Sequence, residues 1–186
     1  PAELSVVGAG GGTLPLQAEV TSRWGGEPDD ATRPIRWVSL TFPASVDAGG
    51  SAVYYLRRGA GSAAPPSTRI SVEDDGVTLR VDTGAARFSM RRDTFDMLQG
   101  VEIYGAGEAL VPSVSNGFSL YSAGREYGSA RSAPSSFELL ERGPLRAVVK
   151  VKGTFEDAAG NGFMGYSAYL HFYAGQGRVR VLHTLE

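Results

Sequence analysis

Cysteine is absent from all 186 residues, which excludes a disulfide framework, a thiolate metal site and a cysteine nucleophile. Charge of either sign is also in short supply. Lys and Arg number 18 against 20 Asp and Glu, a net charge of -2, so the chain has no field to draw in nucleic acid or an anionic membrane. No apolar run approaches membrane-spanning length. The opening PAELSVVGAGGG lacks the basic and long apolar regions of a signal peptide, which a mature chain would have shed. There is no Gly-x-Ser-x-Gly elbow and no dinucleotide or phosphate loop, which leaves those hydrolase and nucleotide-binding classes without an anchor.

What is present points to β-structure. The 25 glycines and 10 prolines punctuate short runs rich in Val, Tyr, Phe and Thr, the composition of an all-β protein. LPLQAEVTSRW alternates at Leu14, Leu16, Ala18 and Val20, and IRWVSLTFP alternates after the turn-rich Gly25 to Pro34, with Arg36, Val38, Leu40 and Phe42 as its core face. Ser51 to Gly59 gives a third strand after the tight link Asp47 to Gly50. The Ala60 to Thr68 stretch, AGSAAPPST, reads as a linker, which sets the domains at 1–68 and 69–186. Beyond it, Asp75-Gly76 between two alternating runs is a hairpin signal, because both residues tolerate positive φ. Thr94 to Gln99 is the one segment that passes for a helical turn. Alternation returns at Val149, Val151 and Gly153, and the final hairpin turns at Ala174 to Gly177. The early GAGGG, Gly8 to Gly12, precedes no helical pattern and reads as a flexible leader.

Few residues carry chemistry. With that last turn, His171 faces residue 180 and His183 falls near 168, so the only two imidazoles are not cross-strand neighbours and no metal site is expected. Asp29 with Asp30, and Asp74 with Asp75, are adjacent turn residues rather than an acid and base facing each other across a gap. Trp24 and Trp37 each follow an arginine in an alternating strand and are expected in the core. Tyr121, Arg125 and Tyr127 stand in a glycine-rich stretch, where loops carry function, and an aromatic face there can pack on the C–H face of a pyranose. These three, with His183 near the strand end, are the candidate substrate-binding residues. No cofactor is indicated.

LPLQAEVTSRW followed by RPIRWVSLTFPASVDAGGSAVYYLRRG resembles the opening barrel of the exo-rhamnogalacturonan lyase family, the PcRGLX/YetA-like proteins. VTLRVDTGAARFSM, GVEIYG, ERGPLRAVVKVKGTF and YLHFYAGQGRVRVLHTL resemble successive strands of that family's central β-sandwich. The GGEPDDAT turn departs from the pattern in being longer and more acidic. The resemblance implies an N-terminal RIFT-type β-barrel, an antiparallel β-sandwich and a C-terminal α/α toroid, of which the first two are expected here, with the sandwich truncated. It further implies a secreted or periplasmic polysaccharide lyase that cleaves rhamnogalacturonan, a pectic glycan, by β-elimination. In that reading the present chain is the non-catalytic β portion and the toroid of the same chain is its partner. The alternative is a stand-alone carbohydrate-binding or structural β module.

Overall fold

The computed structural model describes residues 3–59, 63–106, 109–110 and 117–186. The first residues of the expected linker, 60–62, and part of the glycine-rich stretch lie outside them. Every regular element among the described residues is a β-strand, and all pairings are antiparallel. No helix among them is long and apolar enough to cross a membrane. The chain divides into two compact units, Pro1–Ser67 and Thr68–Glu186.

In the first unit, β1 (Leu4–Gly8), β2 (Thr13–Leu14) and β5 (Tyr54–Arg58) form one sheet in the order β2-β1-β5. β3 (Gln17–Arg23) pairs with β4 (Ile35–Thr41). β1 corrects the expected leader. Val6 and Val7 are buried, and Gly8 to Gly12 is the turn into β2, closed by hydrogen bonds from Gly8 N to Gly12 O (3.0 Å) and Gly11 N to Gly8 O (2.9 Å). The Gly25 to Pro34 loop is fastened by Arg23, whose Nε donates to Pro28 O (2.7 Å) and Nη1 to Arg33 O (2.6 Å). Val38 and Leu40 are half-buried, as is Phe42, which packs on Tyr54 with ring centroids 5.4 Å apart.

The two tryptophans are not in the core. Trp24 is 58% and Trp37 63% exposed. Arg36 lies over Trp24 with its guanidinium 4.6 Å from the ring centroid, and Trp37, next along β4, points to the other side of the strand. Alternation identified two faces here, but a two-stranded ribbon has too little apolar partner surface to cover both.

The second unit holds a five-stranded and a six-stranded sheet. β6 (Ser71–Asp74), β7 (Thr78–Asp82), β8 (Ala86–Arg91), β9 (Gly100–Ile103) and β10 (Ala109–Leu110) run side by side in chain order. The Asp75-Gly76 turn joins β6 to β7, with Gly76 at φ 83° and the Asp75 carboxylate accepting from Val77 N and Thr78 N. Thr94 to Gln99 forms bends rather than a helical turn, with Met97 at φ 74°. The other sheet contains β11 (Ser119–Ser122), β12 (Arg125–Gly128), β13 (Ser136–Arg142), β14 (Arg146–Glu156), β15 (Gly162–Tyr173) and β16 (Val179–Leu185).

Period-2 patterning makes this a sandwich. Leu79, Val81, Phe88 and Met90 of the first sheet join Val149, Val151, Leu170 and Phe172 of the second in one buried cluster. Phe88 meets Phe172 across the layers at 5.2 Å between centroids. Gly153 faces Tyr166 in the ladder, and the tyrosine ring lies against the bare glycine backbone, a place no side chain could share.

Candidate functional site

The hairpin β11–β12 positions the candidate residues. Its two-residue turn, Ala123-Gly124, has φ of 48° and 77°, the doubly positive geometry that matches the twist of paired strands. Tyr121 pairs with Glu126 and Leu120 with Tyr127. Alternation therefore sends Tyr121 and Glu126 to one face of the ribbon and Tyr127 to the other. Tyr121 is 73% exposed, whereas Tyr127 is 8% exposed and stacks on Phe163 at 5.0 Å. Tyr127 supports the hairpin from beneath and offers no free ring face.

Arg125 reaches the β14–β15 loop, its Nη1 donating to Asp157 Oδ2 at 3.4 Å. Asp157 organises that loop. Its carboxylate accepts from Ala159 N (2.9 Å), Asn161 N (2.9 Å) and both sides of the fork to Asn161 Nδ2 (3.1 and 3.0 Å). Arg131 Nη2 meets Glu126 Oε2 at 3.4 Å, and Ser119 Oγ donates to Glu126 Oε1 at 3.1 Å. Arg125, Glu126, Arg131, Asp157 and Asn161 line an open cleft of about 480 Å³.

The electrostatics favour holding a ligand over moving a proton. The Asn161 side chain, followed by the Asn161 backbone, keeps the Asp157 carboxyl below its ordinary value, so it is a weak base. The hydrogen bond to Glu126 raises the Tyr121 phenol, which stays protonated as a donor. Arg125 uses one edge of its guanidinium on Asp157 and presents the rest to solvent, with planar donors suited to hydroxyls or a carboxylate. Among the described residues, no group of His, Asp or Glu is clustered as metal ligands.

His183 sits apart from this cleft. It pairs with Ala168 and turns its ring toward the inner layer, where Phe118 lies 4.1 Å away between centroids, Phe155 6.0 Å and Tyr166 6.1 Å. The residue nonetheless remains exposed, and Phe118 ties its ring to the root of the β11–β12 hairpin. His171 pairs with Arg180, as the turn position required. The structure thus places Arg125 in the cleft and Tyr121 outside its lining, on the other face of the hairpin where its phenol bonds Glu126, buries Tyr127 and leaves His183 in an aromatic cluster. Glu126, Arg131, Asp157 and Asn161 were not singled out by the sequence; their signal was the Asp157 to Asn161 turn, DAAGN, between two long alternating runs.

Both imidazoles make stability pH-dependent. Burial lowers the pKa of His183, and burial followed by the charges of Arg146 and Arg180 lowers that of His171, with Glu141 opposing. Neither ring nitrogen of His171 has a hydrogen-bond partner among the described residues, so an imidazolium there would lack an acceptor. The unfolded chain takes up protons first as pH drops below 6.5, and stability present above that value is lost as pH falls through the lowered folded values. Asp74, lowered by Arg92, and Asp75, held at about 2 chiefly by the Thr78 backbone N–H, add a further loss below 3.8. Urea midpoints measured across pH should fall in two stages, and the first should flatten in a His171→Gln, His183→Gln variant. A single acid stage unaltered by that variant would refute the assignment.

Comparison with known protein families matches residues 70–186 to the PcRGLX-like protein central beta sandwich domain. The chain belongs to this family. The match covers both sheets of the second unit, including the β11–β12 hairpin, the Asp157 loop and β16. Comparison with curated proteins finds no match.

Proposed function

We propose that this chain is the non-catalytic β portion of a secreted polysaccharide lyase that acts on rhamnogalacturonan by β-elimination, and that the Arg125–Asp157 cleft, with the exposed Tyr121 ring that bonds its Glu126, contacts the glycan. Family membership over residues 70–186 carries the reading. β-Elimination needs a base for the proton on carbon 5 of a galacturonosyl residue, a cation for its carboxylate and an acid for the leaving oxygen. In the cleft Asp157 is committed to its loop and Glu126 is engaged by Arg131 and Ser119, while Tyr121, bonded to Glu126 from outside the cleft lining, stays protonated. That set supports binding and supplies no poised base. An α/α toroid on the same polypeptide would then provide the chemistry, and the first unit would be the RIFT-type barrel.

The test titrates the 186-residue chain with rhamnogalacturonan oligosaccharides while following the ultraviolet absorbance of an unsaturated uronide. Binding without a rise in absorbance is expected. Tyr121→Ala should weaken binding about five- to tenfold, the order of one lost aromatic contact, with Tm unchanged because the ring is exposed. Turnover by the chain alone would sink the non-catalytic assignment, and unchanged binding in the variant would remove Tyr121 from the reading.

A second reading, a carbohydrate-binding module without a lyase partner, draws on the exposed rings of Trp24 and Trp37. It requires Trp37→Ala to weaken glycan binding more than Tyr121→Ala does.

A further inference from the structure

The outer face of the six-stranded sheet has its own chemistry. Along β14, β15 and β16 the positions that alternate with the core, Lys150, Tyr169, His171, Tyr173 and Arg180, point away from it. The Lys150 ammonium stands 5.7 Å from the Tyr169 ring centroid. At the β15–β16 end this strip opens into a cavity of about 500 Å³ bounded by Tyr173, Gln176, Arg178, Val179 and Arg180.

The loop that carries Arg178 is fixed in advance. Gly175 N donates to Thr83 O (2.7 Å), Thr83 Oγ1 donates to Gln176 O (2.8 Å), and Ala174 N donates to Leu145 O (3.0 Å). Gln176 Oε1 then accepts from Arg178 Nε at 2.7 Å and orients the guanidinium. Among the described residues, neither Arg178 nor Arg180 lies within ion-pair distance of a carboxylate, in contrast to Arg125, Arg131 and Arg146. Two guanidinium groups beside a tyrosine, on a loop that needs no ordering, form a preorganised anion site with an aromatic wall.

We propose that this cavity binds a carboxylate-bearing sugar, a uronate unit of an acidic glycan, with Arg178 and Arg180 on the carboxylate and Tyr173 against the C–H face of the ring. Its ligand is a sparsely charged polymer rather than a nucleic acid. Glu138 and Glu141 pair with β14 on the same sheet, and the chain carries a net charge of -2; a dense phosphate backbone would meet that negative charge, whereas one carboxylate needs only the two arginines. The site is separate from the Arg125–Asp157 cleft and stands whether or not that cleft binds glycan.

The experiment titrates the 186-residue chain by calorimetry with trigalacturonate, with neutral galactotriose and with a short single-stranded DNA. Trigalacturonate should bind at least tenfold more tightly than galactotriose, and affinity should fall as salt is raised. An Arg178→Gln, Arg180→Gln variant should lose about tenfold or more of that affinity, as expected for charge-assisted hydrogen bonds, with Tm unchanged, and Tyr121→Ala should not. Tyr173→Ala should weaken the same interaction. The proposal is overturned by absence of trigalacturonate binding, by equal binding of galactotriose, by full affinity in the double variant, or by DNA that binds as tightly as the uronate.

Discussion

Phe88→Ala is expected to lower the unfolding free energy of the second unit by about 3–5 kcal/mol, the range for truncating a buried phenylalanine. Phe88 is fully enclosed on β8, between β7 and β9, and its ring crosses to Phe172 on β15. Removing it deletes the buried apolar surface and leaves a cavity that neither sheet can collapse into without breaking its own ladder. The loss should appear as a shifted urea midpoint with an unchanged slope. A loss below about 1 kcal/mol would mean that the two layers are not packed as described.

Gly153→Ala should destabilise by about 1–3 kcal/mol, although it adds a single methyl group. A β-carbon at residue 153 would stand 2.5 Å from the Tyr166 hydroxyl oxygen and 2.7 Å from the ring carbon that bears it. The ring has nowhere to withdraw. Phe95 is stacked on it at 5.6 Å and Phe155 meets its edge at 5.2 Å, and burial pushes its phenol pKa up to about 12. The cause is checked by a double-mutant cycle with Tyr166→Leu, which removes the obstructing ring. If the clash is responsible, the alanine should cost at least about 1 kcal/mol less in the leucine background. Equal costs in both backgrounds would assign the effect to the strand rather than to the ring.

Both sequence and structure place the same hairpins wherever two local signals coincide. Asp75-Gly76 supplied positive φ between alternating runs, and Val149 and Val151 alternated within a strand long enough to establish its period. β1 escaped notice because LSVVG is short and the glycines after it have the composition of a leader. The tryptophans escaped because alternation says which residues share a face and not whether another layer covers it. At the candidate site, Tyr121 and Arg125 were legible as polar-aromatic residues beside a glycine turn. Asp157, the partner of Arg125, was not, since it arrives from the far end of β14, and β12 touches that strand through a single pair, Gly128 with Glu156. The burial of Tyr127 follows from parity with its partner Leu120, which requires knowing the register.

That single pair has a kinetic meaning. Apart from it, every ladder in the second unit joins strands adjacent in sequence: β6 through β10 in one sheet, β11 with β12, and β13 through β16 in the other. Each series is a meander that closes only short loops, so little chain entropy is lost before its own hydrogen bonds form. The long-range step is the meeting of the two layers, where contacts such as Phe88 with Phe172 span much of the sequence. Topology thus concentrates the search for the native state in one docking event between preformed ribbons, which must keep their apolar faces shielded until they meet.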